Sequence, residues 1–201
     1  MCSHSAGRNV GGVVWAEIAL WLRFTPCGDT MIHVSSLSGL GDVAASLPSF
    51  DLLTLLSPGV EQRDWSALAP VRHLRLAFHD ITVQTPDLIA ADDVTLQAIL
   101  DFGREAKPDR AMLIHCWAGI SRSSAAAYAI ACDRNPGFEN EIADELRRRS
   151  PVVTPNRLMV QLADDLLGRQ GAMVGAIARI GRGADAYEGA PYQLPLQWLR
   201  V

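Results

Sequence analysis

The sequence predicts an α/β domain with a central, mainly parallel sheet flanked by helices, followed by a helical C-terminal part. Two patterns support this prediction. Between residues 31 and 110, short apolar runs alternate with amphipathic stretches, which is typical of parallel strands joined by crossover helices. From residue 122 to residue 180, nearly every segment has helical character. A chain of 201 residues is long enough to bury a sizeable core.

The first half of the chain supplies the predicted strands. Apolar or alternating runs predict strands at 31–34, 51–56, 73–78 and 111–114. A short helix is predicted from 39 to 47, and a turn or short helix from 61 to 68. Asp92 or Asp93 is predicted to cap a longer helix that ends near residue 106, because an apolar set at helical spacing follows.

The second half is predicted to be helical up to residue 180. An alanine-rich run after residue 124 predicts one helix, and further helices are predicted at 139–149, 157–167 and 172–180. Thr154 is predicted as the N-cap of the 157–167 helix, with Pro155 at its first position.

The predicted boundaries place a functional domain at residues 31–183 and an extended C-terminal tail at 184–201. Residues 1–30 form an N-terminal extension, either a docking helix or an appendage. Its apolar stretch, 10–24, is too short to span a membrane, and no A-x-A cleavage site follows it.

Composition excludes several classes of function. Lysine and arginine number 18 against 22 acidic residues, a net charge of −4, which does not suit a general nucleic-acid or membrane-surface binder. The four cysteines form no C-x-x-C pair, so a reducing cytoplasm is the simpler compartment. The five histidines show no metal-ligand spacing, so neither a metal nor a cofactor is predicted.

The chemistry is predicted at the loop between the 111–114 strand and the alanine-rich helix. No residue from 117 to 122 is proline, so every amide there is free to donate to an anion at the helix N-terminus. Gly119 supplies the backbone freedom that such a loop needs. Arg122 offers a planar fork for two phosphoryl oxygens.

The thiol at the start of this loop is the candidate nucleophile. The loop amides, the helix dipole and Arg122 all favour an anionic sulfur at Cys116. A thiolate that faces a bound phosphoryl group is placed for in-line attack. The hydroxyl of Ser123 is expected to donate to the sulfur and to ease its departure in a second step.

These residues resemble a known signature. Cys116-x5-Arg122 is similar to the C-x5-R motif of the cysteine-dependent protein tyrosine phosphatases. The fuller string His115-Cys116-x-x-Gly119-x-Ser121-Arg122-Ser123 resembles the dual-specificity-like branch, with its small bacterial-type enzymes. A separate stretch, Thr154-Pro155-Asn156 followed by Met159-x-Gln161-Leu162, is similar to the S-P-N-x-x-F-M-x-Q-L element of that branch.

The resemblance covers roughly residues 31 to 168 and implies the phosphatase C-x5-R fold. It also implies a phosphocysteine mechanism. The phosphate would be bound by the loop residues Trp117, Ala118, Gly119, Ile120, Ser121 and Arg122.

The resemblance further implies an aspartic acid that protonates the leaving group, on a loop after a strand. Asp80 directly follows the 73–78 strand and precedes the nucleophile by 116 − 80 = 36 residues, a few more than is common in the family. Asp87 is the alternative. Asp92 and Asp93 are better explained as helix-capping residues.

Four other residues have predicted roles. Side chains alternate along a strand, so His115 is expected to face away from the pocket and to hold the loop by hydrogen bonding. Cys132 is expected to be a buried structural thiol. Trp117 either lines the pocket rim or packs beneath it. Asn156 belongs to the capping region, with support of the loop as a second possibility.

The function predicted from these features is phosphomonoester hydrolysis of the protein tyrosine or dual-specificity type. The expected substrate is a phosphorylated protein or a small phosphoester, with no nucleic-acid or membrane partner. The uncharged Trp117, Ala118 and Ile120 argue against phosphoinositides. The alternatives are a phosphate-binding module of the same fold without turnover, and a rhodanese-like sulfurtransferase.

Overall fold

A computed structural model describes residues 24–26, 30–60 and 64–200. Its central sheet has five strands in the order β4-β3-β5-β2-β6. Four are mutually parallel: β2 (Met31–Ser35), β3 (Phe50–Leu56), β4 (Arg72–Ala77) and β5 (Ala111–His115). The fifth, β6 (Tyr192–Pro195), runs antiparallel to β2 at one edge. A separate antiparallel pair joins β1 (Phe24–Pro26) to β7 (Trp198–Arg200).

Six α-helices lie within the described residues and cover both faces of the sheet. They are α1 (Leu40–Ala45), α2 (Asp93–Arg104), α3 (Arg122–Arg134), α4 (Glu139–Arg149), α5 (Arg157–Leu166) and α6 (Ala172–Ile180). A 3-10 turn spans Trp65–Leu68.

Hydrophobic packing differs between the two faces. One face carries a small cluster in which α1 and the 3-10 turn pack against Leu52 and Leu56. The opposite face carries the main core, which includes Leu53 and Leu55 and side chains from α2 to α6. Every residue of β3 is buried, as expected for a parallel strand covered on both faces. α3 is buried along most of its length, because its alanines let the neighbouring helices approach closely.

The predicted fold class is confirmed: the structure is α/β with a mainly parallel sheet flanked by helices. The four predicted strands and the predicted helices at 139–149 and 172–180 are present at or near their expected bounds. Asp92 caps α2, because its carboxylate accepts the amide hydrogen of Thr95 at 2.8 Å. Of the predicted turn at 61–68, residues 61–63 lie outside the described residues, as does most of the 1–30 extension.

The predicted cap of α5 is wrong. Asn156, not Thr154, is the N-cap, and its side-chain oxygen accepts from the Met159 amide at 3.1 Å. The Thr154 hydroxyl instead accepts from the Gly183 amide at 3.1 Å. Pro155 therefore lies before the N-cap, and the helix begins two residues after it, at Arg157.

The residues predicted as a C-terminal tail contribute strands. β6 pairs with Met31–Val34 of β2, and β7 pairs with β1. The extended conformation was predicted, but the sheet position was not, because β6 is a four-residue edge strand that ends in proline.

The described residues lack two features that would indicate other functions, a membrane-spanning helix and a metal-binding cluster. None of their helices is both long enough and apolar enough to cross a membrane. Within the same residues, no cluster of three or more His, Cys, Asp or Glu side chains is arranged to hold a metal ion.

Asp164 is predicted to be important for stability. It is fully buried, and its carboxylate accepts the amides of Gly171, Met173 and Val174 at 2.6, 2.8 and 3.2 Å, which fixes the start of α6. Asp164→Ala leaves the buried Met173 amide and two partly buried amides without this acceptor and should lower the free energy of unfolding by about 3 kcal/mol. Urea denaturation measures this loss.

The neighbouring Asp165 provides a matched control, since it is exposed and its carboxylate bonds only the Gln161 side chain among the described residues. Asp165→Ala should change the same free energy by no more than about 0.5 kcal/mol. Equal losses for the two variants would contradict the special role of Asp164.

Candidate active site

The loop that links β5 to α3 lies at the carboxyl end of a central strand. This is the edge at which open α/β sheets bind ligands. Met112 and Ile114 face the main core beneath the helices, and the alternation along the strand places Cys116 on the same face. His115 therefore faces the opposite side of the sheet.

The loop carbonyls are bonded outward. Four of them accept amide hydrogens from residues outside the loop, at 2.9 to 3.3 Å. The pairs are Leu37 to Trp117, Gly189 to Ala118, Thr154 to Ile120, and Asn156 to Ser121. In a trans peptide the N–H points opposite to the C=O. The amides of residues 118, 119, 121 and 122 are therefore turned toward the centre of the loop, as an anion site requires.

Gly119 is required by both conformation and space. Its φ is +72°, in the left-handed region that favours glycine. A Cβ at this position would lie 2.8 Å from the Ser36 nitrogen and 3.0 Å from the Ser35 carbonyl carbon. The loop therefore lies directly against the end of β2.

The nucleophile candidate and its serine are neighbours. Cys116 is buried, and its Sγ lies 3.1 Å from the Oγ of Ser123 in the first turn of α3. Ser123 is fully buried as well. Its hydroxyl is therefore placed to donate a hydrogen bond to an anionic sulfur.

Arg122 is held from the β4 side. It is 3 % exposed, and its Nη1 donates to the Phe78 carbonyl at 2.6 Å and to Ser57 Oγ at 3.3 Å. Its Nε makes no hydrogen bond within the described residues. The guanidinium is thus fixed at one end, and its other donors remain available to an oxyanion.

Asp80 lies against the same loop. Its Oδ1 accepts from Ser121 Oγ and from Asn156 Nδ2, both at 2.7 Å. Its Oδ2 lies 3.8 Å from Nε of Arg122. Asn156 therefore both caps α5 and holds Asp80, which the sequence left open.

The extra length of the loop after β4 does not displace Asp80. His79 is paired with Ile89 through two hydrogen bonds, N–H to carbonyl at 2.7 Å and Ile89 N–H to the His79 ring at 2.9 Å. Residues 80–88 therefore form a loop that is closed by this pair, and Asp80 lies at the base of the loop. Asp87 lies in the same loop, where it is exposed and has a φ of +63°.

These groups meet in a cavity of about 410 Å³. Its described lining residues are Ser57, Val60, Asp80, Cys116, Trp117, Ala118, Ile120, Ser121, Arg122, Ala186 and Tyr187. Asp80 is therefore part of the cavity lining, whereas Asp87 is not. The Trp117 side chain is 53 % exposed and forms part of the rim.

Of the two remaining acidic candidates, Asp92 is the N-cap of α2, as one of the two predicted alternatives had it. The hydrogen bonds from Thr95 hold the pKa of Asp92 below its ordinary value. Asp93 begins α2 and lies in its first turn.

His115 anchors the loop from the far side of the sheet. It is fully buried, and its Nε2 lies 2.8 Å from Thr54 Oγ1, which in turn lies 2.9 Å from His73 Nε2. The Trp65 ring packs on it at 5.2 Å between ring centroids. These contacts restrain the residue immediately before Cys116.

Two groups of residues near the site were missed by sequence reasoning. Ser57 and Phe78 hold Arg122 but belong to no motif. The C-terminal residues Ala186, Tyr187 and Tyr192 were assigned to a tail. Tyr192 is buried on β6, and burial together with the nearby Cys116 sulfur raises its pKa. Cys132, as expected, is a buried thiol, and burial raises its pKa.

Comparison with known proteins shows a likeness in fold to several solved structures. No family model matches the chain, and no curated protein sequence matches it. PTPMT1, solved in complex with PI(5)P, is 12 % identical over 70 % of this chain and 90 % of its own, with a TM-score of 0.51. The Yvh1 phosphatase domain from Chaetomium thermophilum is 19 % identical over 70 % and 92 %, with a TM-score of 0.49. Tk-PTP in its active form is 23 % identical over 66 % and 86 %, with a TM-score of 0.48.

Gly119→Ala is predicted to weaken anion binding. Inorganic phosphate should raise the unfolding temperature of the unmodified chain if the loop binds anions. The variant forces a Cβ against the β2 backbone at positive φ, a strain of about 1–3 kcal/mol, so phosphate affinity should fall by about 5- to 150-fold. Thermal unfolding across a phosphate titration measures this.

Gly175→Ala is the matched control. Gly175 lies exposed in α6, and a Cβ there would have no neighbour within 4 Å. This variant should keep the full phosphate-dependent shift. Retention of the shift in Gly119→Ala would show that the loop does not form the anion site.

Proposed function

We propose that this chain, which has the fold of the cysteine-dependent protein tyrosine phosphatases, is a phosphomonoester hydrolase that works through a phosphocysteine intermediate. One observation carries the proposal: Cys116, Arg122 and Asp80 line a single cavity, toward which the loop amides are turned. Nucleophile, anion site and acid are therefore present together.

The first step is transfer of the phosphoryl group to sulfur. The loop amides and Arg122 bind the phosphoryl oxygens, and the Cys116 thiolate attacks phosphorus. A sulfur–phosphorus bond forms while the bond from phosphorus to the ester oxygen breaks. Asp80, protonated at this stage, gives its proton to the departing oxygen.

The second step is hydrolysis of the phosphocysteine. Asp80, now a carboxylate, takes a proton from a water molecule whose oxygen attacks phosphorus. The sulfur–phosphorus bond breaks, inorganic phosphate leaves and the thiolate returns. Ser123 stabilises the departing sulfur, since its hydroxyl lies 3.1 Å from Sγ.

The hydrogen bonds of Asp80 support its role as the acid. Ser121 and Asn156 both bond Oδ1, and no hydrogen bond within the described residues uses Oδ2. One oxygen therefore orients the carboxyl group, and the other is available to carry the transferred proton.

The cavity lining supports a substrate with a single phosphoryl group. Among its described lining residues, Arg122 and Asp80 are the charged side chains. Additional phosphates would need further cations. We therefore propose a phosphorylated protein side chain, or a small phosphoester, in a reducing compartment such as the cytoplasm. The domain that carries the reaction extends in this proposal from residue 31 through β6.

Exchange of the nucleophile and the acid tests the mechanism. Cys116→Ser should abolish hydrolysis of aryl phosphates. Asp80→Asn should lower kcat by about 100-fold or more on esters with poor leaving groups, and much less on para-nitrophenyl phosphate, whose leaving group needs little protonation. Steady-state kinetics over a leaving-group series measures both effects.

Asp87→Asn is the control and should resemble the unmodified chain, because Asp87 does not line the cavity. A loss confined to Asp87→Asn would move the acid to that residue. An unmodified chain that binds vanadate without turnover would be a phosphate-binding module. Transfer of sulfur from thiosulfate to cyanide would establish the sulfurtransferase.

Ser123→Ala tests the intermediate. Removal of the hydroxyl takes away one hydrogen bond to a charged leaving sulfur, about 1.5–3 kcal/mol, so breakdown of phosphocysteine should slow by about 10- to 100-fold. A rapid burst of alcohol product followed by a slow phase is expected in stopped-flow assays, and rapid denaturation with detergent at neutral or alkaline pH should trap phosphate on Cys116. Equal slowing of both phases would argue against this role.

A further inference from the structure

The segment between α6 and β6 crosses over the active-site loop. We call residues 183–191 the strap. Its first end is tied near the start of α5: the Gly183 amide donates to Thr154 Oγ1 at 3.1 Å, and the Ala184 amide donates to the Pro151 carbonyl at 3.0 Å. A Cβ on Gly183 would lie 2.4 Å from the carbonyl carbon of Val152, so the strap lies directly on that backbone.

The second end is tied to the phosphate loop and to β2. The Gly189 amide donates to the Ala118 carbonyl at 2.9 Å, which is one of the four bonds that turn the loop amides inward. The Glu188 carboxylate accepts the hydroxyls of Ser36, at 2.5 Å, and of Ser38. β6 follows immediately and is paired with β2.

Between these ties, the strap places an aromatic side chain at the cavity. Ala186 and Tyr187 line it, and the Tyr187 side chain is 87 % exposed. Trp117, also a lining residue, is 53 % exposed. Two aromatic side chains thus lie at the mouth of a cavity whose inner end is the phosphate loop.

A bound phosphomonoester must direct its organic group away from the loop, because the loop amides and Arg122 hold the phosphoryl oxygens. That group therefore leaves toward the mouth. An aromatic ring there gains from offset or edge-to-face packing on another ring, beyond the area that it buries.

We propose that the strap makes Tyr187 a substrate-positioning residue, which together with Trp117 packs against the organic group of the ester and favours aryl over alkyl phosphates. This inference rests on the proposed function of the same site. It assigns selectivity to a C-terminal segment that lies outside both sequence motifs.

Binding to the Cys116→Ser chain tests the inference without turnover. Calorimetric titrations with phosphotyrosine, phosphoserine and inorganic phosphate are compared. Tyr187→Ala should weaken phosphotyrosine binding about three- to tenfold and leave inorganic phosphate unchanged, while Tyr187→Phe should keep the original affinity. Val94→Ala, at an exposed position on α2, should change none of the three.

Two outcomes would overturn the inference. Equal weakening of phosphotyrosine and inorganic phosphate would make Tyr187 a support for the loop, and no change in either would remove it from the site. In the chain that retains Cys116, Tyr187→Ala should raise KM for aryl phosphates with little change in kcat. Failure of hydrolysis with the binding pattern intact would refute the proposed function but not the role of Tyr187.

The anchor of the strap provides a second measurement. Glu188→Ala removes the acceptor of both serine hydroxyls and should reproduce the loss of phosphotyrosine affinity, whereas Glu188→Gln keeps an acceptor oxygen and should restore most of it. In the Glu188→Ala background, Tyr187→Ala should add little further loss. Fully additive losses would show that the strap does not position Tyr187.

Discussion

The site depends on the outward hydrogen bonding of the loop carbonyls between Cys116 and Arg122. A peptide loop has no intrinsic reason to turn its amides to one side, because each residue carries both a donor and an acceptor. Here the acceptors are satisfied by the turn after β2, by the residues before α5 and by the strap. Three parts of the chain that are distant in sequence thus impose one orientation on four peptide groups, and the conformation of the loop is a tertiary property of the fold.

This arrangement explains why Gly119 is confined on the β2 side. The Leu37 amide can reach the Trp117 carbonyl only if the turn after β2 lies close to the loop, and Gly119 lies within contact of the Ser35 and Ser36 backbone. His115 restrains the other side of the sheet through Thr54. Cys116 therefore leaves β5 between two fixed neighbours, and its sulfur faces the serine of α3 rather than solvent.

Much of the site could be predicted because it is local in sequence. Strand, loop and helix follow one another within about twenty residues, and their residue types match one signature. The general acid was less certain, because separation along the chain cannot show that His79 and Ile89 close the loop behind Asp80. The second contact of Asn156 could not be predicted without knowing where Asp80 lies. The N-cap of α5 was predicted at the wrong residue, because the Thr154 hydroxyl accepts a hydrogen bond from the distant Gly183 amide. The strap matches no sequence motif, since it is held by backbone contacts at Gly183 and Gly189 and by a single carboxylate, Glu188, whose serine partners lie about 150 residues earlier in the chain.

The end of β4 positions both the proposed acid, Asp80, and the proposed anion-binding residue, Arg122. Phe78 is the first residue after that strand, and its carbonyl holds Arg122, while Asp80 two residues later approaches the other side of the same guanidinium. Ser121 joins them, since its hydroxyl donates to Asp80 and its carbonyl accepts from Asn156. A shift of this strand end would therefore move the Arg122 guanidinium and the Asp80 carboxylate together. In the proposed mechanism the two groups act on the same ester bond, so anchoring both to one strand end would keep their separation fixed, whereas the mouth of the cavity is lined by Trp117 and the strap, which belong to other parts of the chain.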